Sequence, residues 1–459
     1  MSINLTNNQP KKKILIANNS QLMVQYTGGY PKQLNYLIKM FTELNFEIFY
    51  LMTLHKLPNT NHFTQSYTYD ELKTIYIKYN YKDALESTIL FNPLLREVKY
   101  LSMQKEIREV YVDDINMIID KHNIDYFFFI GDIFTFRLNE GKQIKVPNYY
   151  WFPCHYYPFS KFDVNGLNCF SNIICLSPSI KLILEKDLPT KQIHFLPHVT
   201  EKTTVTAGKN ELRRKWNIPT DKMIILMVAT LFDEGNRKAS DAQLIGFKKF
   251  NAKYPNSLLF VQCTVSSHET ARYNNTTTLL SKYNFTNDNF FIHYEPVSEE
   301  HLAEFYTLSD VLLSCSKAEG FGVPILEAQL YGLSVITSNF LAMAEYNFQN
   351  NVTEISTITR NYSIEGTWTF PSSANITNKL EELYLQKYNP VSKPESIDEL
   401  EWEVDASRSS TTKLCSSRRE SNEFDKIIDS KLKQSTWITT KLTSYNNIKT
   451  NLYKIMKLL

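Results

Sequence analysis

Short apolar runs recur along the chain, each bounded by polar residues. The run KILIA, residues 13–17, follows a charged flank and predicts a first strand. FEIFYLM (46–52), IDYFFFIGD (124–132), PNYYWF (147–152), NIICLSPS (172–179) and QIHFLPH (192–198) predict further strands. After the first of these, TGGYPKQLNYLIKMFTEL sets Leu34, Leu37, Ile38, Phe41 and Leu44 at helical spacing. Pro31 suits the first helical position, where no N–H is needed. Helical segments around 100–121 and 179–186 separate later strands. Alternating strand and helix predicts a parallel sheet covered on both faces.

The polar stretch TEKTTVTAGKNELRRKW (200–216) interrupts this pattern and predicts a linker. The pattern then restarts with KMIILMVATL (222–231), NSLLFVQCTV (256–265), NFFIHYE (289–295), SDVLLSCS (309–316) and LSVITSN (333–339). Helices are expected around 239–253, 299–307 and 324–331. The fold class is therefore α/β, with two doubly wound domains, 1–204 and 205–388. Ligands of such sheets bind at the carboxyl ends of the strands, so the natural site is the cleft between the two. Residues 389–423 turn rich in Ser, Thr and charge, which predicts a flexible insert. Residues 424–459 regain an apolar spacing and predict C-terminal helices.

Composition narrows the function. A length of 459 residues exceeds one ordinary core. With 50 basic against 48 acidic residues, the formal charge is +2, which argues against a nucleic-acid partner held by bulk electrostatics. The run Lys11-Lys12-Lys13 is a solubilising flank and too weak for a membrane contact. Six cysteines, at 154, 169, 175, 263, 315 and 415, show no CxxC spacing and fit a reducing, cytoplasmic compartment. No signal peptide and no membrane-spanning run is expected from the sequence.

The chemistry concentrates in CSKAEGFGVPILEAQ, residues 315–329. Glu319 falls in a strand-to-helix loop at the carboxyl edge of the second sheet. Pro324 starts the next helix and sets Glu327 near its first turn, facing the same cleft. Gly320 and Gly322 let backbone amides approach a ligand closely, and a helix N-terminus suits phosphate. One segment thus offers two carboxylates, free amides and an anion site, which suits a nucleotide-sugar. The plain alternative is a glycine turn with two surface glutamates.

These residues resemble the E-x7-E motif of retaining family-4 glycosyltransferases of the GT-B fold, the glycogen synthase and group 1 type. The likeness extends to SEEHLAEFYTLSDVLLSCS upstream and EAQLYGLSVITSNFLAMAE downstream, and residues 12–385 follow the family's order of elements. The resemblance implies two Rossmann-like domains facing each other across a cleft. It implies that Glu319 contacts the transferred sugar and that the amides of Gly320, Phe321 and Gly322, with Val323 beside them, bind the donor. Glu327 would accept from the ribose hydroxyls. Arg237 and Lys238, in ATLFDEGNRKASDAQLIGF, would grip the diphosphate. Many members carry an arginine soon after that strand, where this chain has Thr230 and Leu231. Gly28 and Gly29, in TGGYP, answer to the family's glycine-rich first loop. His155, in YWFPCHYYPF, would orient the acceptor or share its proton, while His198, in FLPH, lacks the usual following residues and is expected to be structural. The nucleobase is expected near HYEPVSEEHL (293–302).

The expected activity is that of a retaining hexosyltransferase moving sugar from GDP-mannose or a UDP-hexose to a glycan, protein or lipid hydroxyl. No metal or other cofactor is expected: Asp113-Asp114 falls in a helix, and no Asp-x-Asp motif occupies a suitable loop. The rivals are an inactive GT-B protein that binds nucleotide-sugar or a partner, and a GT-B epimerase or phosphorylase.

Overall fold

The computed structural model describes residues 10–18, 29–53, 65–68, 71, 98–103, 111–132, 142–231, 236–263, 281–294, 297–346, 352–355, 357–361, 367–388 and 443–458. The first sheet contains β1 (Lys13–Ala17), β2 (Glu47–Thr53), β3 (Gln65–Tyr67), β4 (Lys99–Met103), β5 (Tyr126–Ile130), β6 (Asn148–Phe152), β7 (Asn172–Cys175) and β8 (Gln192–Phe195). Their order is β3-β4-β2-β1-β5-β6-β7-β8. Every pair is parallel except β3 against β4.

The central strands are mostly apolar because helices cover both faces. Ile14, Leu15, Phe127, Phe128, Phe129, Tyr150 and Trp151 are all fully buried. Helix α1 (Gly29–Glu43) lays Leu34, Leu37, Ile38 and Phe41 on this sheet. Pro31 is its third residue rather than its first. Of the helix expected around 100–121, the described residues show α2 (Val112–His122), and 104–110 lie outside the described residues. Residues 99–103 instead pair with β2, and Leu101 fills the sheet core; the helical spacing belongs to Val112, Ile115, Ile118 and Ile119. Helices α3 (Lys161–Asn168) and α4 (Pro178–Asp187) are each capped by a serine, Ser160 and Ser177.

The stretch expected as a linker has no helix or strand over 201–208 but ends in α5 (Lys209–Lys215). Leu212 is buried there, and the buried Arg213 donates to the carbonyls of Leu308, Thr220 and Lys222 and to Asp310. Those anchors make the segment part of the second lobe.

The second sheet contains β9 (Met223–Val228), β10 (Ser257–Gln262), β11 (Phe290–His293), β12 (Val311–Ser314), β13 (Ser334–Ser338) and β14 (Val352–Ile355), in the order β11-β10-β9-β12-β13-β14 and parallel throughout. Its helices are α6 (Ser240–Lys253), α7 (Glu299–Leu308), α8 (Val323–Leu330) and the short α9 (Ala342–Glu345). An antiparallel hairpin, β15 (Thr357–Asn361) with β16 (Thr367–Pro371), precedes α10 (Ser373–Tyr388).

The last described helix, α11 (Tyr445–Ile455), returns to the first lobe. Ile448 and Leu452 join the core beneath α1, and the Tyr453 hydroxyl donates to the Met40 carbonyl at 2.6 Å. The expected insert, 389–423, lies outside the described residues, as does the start of the 424–459 segment.

The two lobes pack directly. Phe321, Leu326, Ala342 and Tyr346 of the second lobe enter one apolar cluster with Trp151, Leu196 and Val199 of the first. The buried Glu345 accepts from the Ser177 hydroxyl and from the Ser179 amide at the start of α4.

Candidate active site

Strand β12 runs out at Ser314, and the chain turns through residues 315–322 into α8. Glu319 sits in that turn, nearly buried. Its Oε1 accepts from Lys238 Nζ at 2.5 Å and from the Ser316 hydroxyl at 2.6 Å. Its Oε2 accepts from Arg237 Nη1 at 3.0 Å, which also donates to the Ala318 carbonyl at 2.8 Å. Arg237 and Lys238 precede α6, and the Arg237 carbonyl accepts from the Lys317 amide at 2.8 Å, tying the two loops together. Burial would raise the Glu319 carboxyl, but Lys238 and Arg237 outweigh it and hold it at about 2.

The first lobe presents the carboxyl ends of β5 and β6 to this cluster. Asp132 follows β5 and accepts from the Tyr30 hydroxyl at 3.2 Å. His155 follows β6, with Nδ1 3.9 Å from Asp132 and its ring 6.1 Å from that of Trp368 on β16. Burial lowers the His155 pKa, Asp132 opposes that shift, and Arg237 adds to it. His155 and Tyr30 both feel the charges of Arg237 and Glu319, so the two lobes share one electrostatic site.

Glu327 lies in α8 and is buried. Its Oε1 accepts from Lys32 Nζ at 2.6 Å, and its Oε2 from the Tyr306 hydroxyl at 2.8 Å. Lys32 belongs to α1 of the first lobe and also donates to Glu299 at 2.5 Å. Burial alone would lower the Lys32 pKa, but Glu327 and Glu299 reverse this and raise it.

Gly320 is a glycine for a reason the sequence did not suggest. A Cβ there would lie 2.8 Å from the Pro153 carbonyl oxygen and 2.9 Å from its carbon, both backbone atoms of the first lobe. Gly322 has φ +86°, the left-handed region that favours glycine, and caps α8. The Phe321 ring is buried edge-on against His198, at 4.9 Å between ring centres, and Tyr346, at 4.5 Å. Val323 opens α8. Gly29 opens α1 with nothing within 4 Å of an added Cβ, and Gly28 lies outside the described residues. His198 is buried, with its ring 4.7 Å from that of Trp151, and burial lowers its pKa to about 3. Of the stretch expected to flank a nucleobase, 295 and 296 lie outside the described residues.

Sequence reading missed Lys32, Tyr30, Asp132 and Tyr306. Asp132 carried a usable signal, being an acid at the end of an apolar strand. Lys32 carried none, since its partner Glu327 is 295 positions away.

Residues 208–367 match the family described as Glycosyl transferases group 1. No curated protein matches the sequence. Sucrose-phosphate synthase from Thermosynechococcus elongatus aligns with a TM-score of 0.61 at 12% identity, covering 98% of this chain and 99% of that one. A glycosyltransferase from Rickettsia africae aligns with a TM-score of 0.56 at 14% identity, over 98% and 100%. The pneumococcal O-GlcNAc transferase GtfA, in complex with UDP and GlcNAc, aligns with a TM-score of 0.52 at 10% identity, over 98% and 97%. These likenesses establish the scaffold as two Rossmann-like domains in the GT-B arrangement.

Proposed function

We propose that this hexosyltransferase, whose residues 208–367 form a group 1 glycosyltransferase domain, transfers a hexose from a nucleotide-sugar to a hydroxyl acceptor with retention of anomeric configuration. GDP-mannose and the UDP-hexoses are the donors, and a glycan, protein or lipid is the acceptor, in glycan or glycoconjugate synthesis. The observation that carries this reading is the Glu319 cluster. A carboxylate held at about 2 by Arg237 and Lys238 stays ionised at any working pH, and the pair of cations leaves the cluster net positive beside it.

In this reading the bond from the anomeric carbon to the diphosphate oxygen breaks as the bond to the acceptor oxygen forms on the same face. The acceptor proton goes to the departing phosphate oxygen. Arg237 and Lys238 neutralise the diphosphate, which is electrostatic stabilisation of the leaving group. Glu319 supports the positive charge growing at the sugar ring. The amides of residues 320–322, with Val323 beside them, hold sugar hydroxyls, Gly28 and Gly29 approach the diphosphate from the other lobe, and Glu327 accepts from the ribose. His155, backed by Asp132, orients the acceptor hydroxyl. Lobe closure excludes the water that would otherwise hydrolyse the donor. The buried free thiols of Cys154, Cys169, Cys175, Cys263 and Cys315 fit a cytoplasmic enzyme. No described helix is long and apolar enough to cross a membrane.

The test is a thermal-shift screen of the full chain against UDP, GDP and their sugars, followed by product analysis. Ligand that binds only the native state raises its stability by mass action. One nucleotide-sugar is expected to stabilise the protein, and supplied with a hydroxyl acceptor it should yield a product of unchanged anomeric configuration. Inversion would remove the front-face mechanism. Indifference to every donor would remove the transferase reading.

A further inference from the structure

We infer that Lys32 is a positioning residue that aims the Glu327 carboxylate at a vicinal diol, so that selection of a ribonucleotide donor requires the two lobes to be together. The inference rests on the ribose role proposed for Glu327 and deepens it. An ionised carboxylate offers about four acceptor sites, two on each oxygen. Lys32 takes one on Oε1, at 2.6 Å, and the Tyr306 hydroxyl takes one on Oε2, at 2.8 Å. One site remains on each oxygen, the arrangement that two adjacent hydroxyls require.

Both donors are themselves fixed. Glu299 holds Lys32 from its other side at 2.5 Å. Tyr306 is buried and stacks on Tyr331 with ring centres 5.4 Å apart. The Tyr331 hydroxyl in turn donates to the Thr203 carbonyl at 3.0 Å and accepts from the Thr203 amide at 2.9 Å. Tyr306 and Glu299 belong to the second lobe, but Lys32 belongs to α1, three residues from Gly29. When the lobes part, Glu327 keeps Tyr306 and loses Lys32. Its carboxylate is then free to turn about the Tyr306 bond, and Glu299 stands beside it uncompensated. The carboxylate is therefore set for a diol only in the closed enzyme.

The experiment compares binding of UDP and GDP with that of their 2′-deoxy counterparts, using the full chain and its Lys32→Met, Lys32→Arg, Lys32→Ala and Glu327→Gln variants. The wild-type protein should prefer whichever ribonucleotide it binds by about tenfold, the scale of one lost hydrogen bond to a charged group. Lys32→Met should bring the ratio of ribo to deoxy affinity near unity and raise the donor KM while kcat at saturation stays within a few-fold. Lys32→Arg should restore most of the ratio. A Lys32→Met protein that keeps the wild-type ratio, or loses kcat with KM unchanged, overturns the inference. Should Lys32→Met fail to fold, Lys32→Ala decides: it also frees Oε1 but leaves room for water beside the two carboxylates, and an unchanged ratio there overturns the inference equally. The underlying ribose reading fails separately, when the wild-type protein does not distinguish the sugars or Glu327→Gln leaves its preference intact.

Discussion

Glu319 and Glu327 stand eight residues apart in one segment, yet the structure gives them opposite surroundings. Glu319 is held by Arg237, Lys238 and Ser316, all of its own lobe. Glu327 is held by Tyr306 of its own lobe and by Lys32 of the other. The first cluster sets two cations against one carboxylate and is net positive. The second sets one cation against two carboxylates, Glu327 and Glu299, and is net negative. A diphosphate suits the first and hydroxyl donors suit the second. On the proposed reading, the same residue type, repeated within one motif, would serve two tasks, and the partner charges would decide which. The difference also separates what is preorganised from what waits for closure: the Glu319 cluster is complete within one lobe, and the Glu327 cluster is not.

The largest effect should come from breaking the positive cluster. Lys238→Ala removes the shorter of the two ion pairs to Glu319, 2.5 Å against 3.0 Å for Arg237. It also removes a cation assigned to the leaving diphosphate. Turnover at saturating donor should fall on the order of 10²-fold or more, as when one preorganised donor to a developing anion is lost. Donor KM should change less. A Lys238→Ala enzyme within threefold of wild-type turnover would leave the positive cluster without a catalytic task.

The next effect sharpens the contrast between the two clusters. In Gly320→Ala the new methyl group would meet Pro153 backbone atoms at 2.8 and 2.9 Å. Backbone cannot swing aside as a long side chain can, so the lobes must shift apart. Overpacking of this kind costs about 1–3 kcal/mol. The loss should appear as a lower Tm and weaker nucleoside diphosphate binding, because parting the lobes withdraws Lys32 from Glu327. The Glu319 trio lies within one lobe and should persist, visible as an unchanged response of donor binding to Lys238→Ala in the Gly320→Ala background. Wild-type Tm and affinity would show that the lobes do not meet at Gly320 in solution.

What the sequence made legible divides along the same line. Runs such as KILIA and YFFFI announce their strands because both faces are buried, so every position after the first is buried and apolar. KYLSM, VTEI and TITRN are strands of about the same length, but their residues are mixed. They take their state from the strands beside them, as β4 does from β2 and β14 from β13. The Glu319 turn was legible because its strand, acid, glycines and helix are consecutive. Lys32, Asp132 and Tyr306 reach the site by topology, which no local spacing records. Gly320 shows the limit within the motif itself. A glycine beside an acid suggests a close approach of backbone, but the sequence cannot say that the approaching group is Pro153.

The last effect concerns pH, and it separates the clusters by window. Glu319 is held at about 2, below the ordinary carboxylate value of 4.5. Its stabilising contribution is therefore present above about 4.5 and is lost only as pH falls from there toward 2. His198 acts earlier. It packs on Phe321, and its buried Nδ1 has no hydrogen-bond partner among the described residues. Burial sets its pKa at about 3, against 6.5 in the unfolded chain. Between those values the unfolded state binds the extra proton, so stability falls as pH is lowered. By pH 5 the cost approaches about 2 kcal/mol, at 1.36 kcal/mol per unit. His198→Phe keeps an aromatic ring against Trp151 and Phe321 and cannot titrate. Its Tm should decline less than the wild type's between pH 7 and 5, whereas Glu319→Gln should follow the wild-type slope over that interval and depart from it only in more acid solution. Parallel wild-type and His198→Phe curves from pH 7 to 5 would mean that water or lobe opening reaches His198. The lobe contact around Phe321 would then be looser than its packing implies.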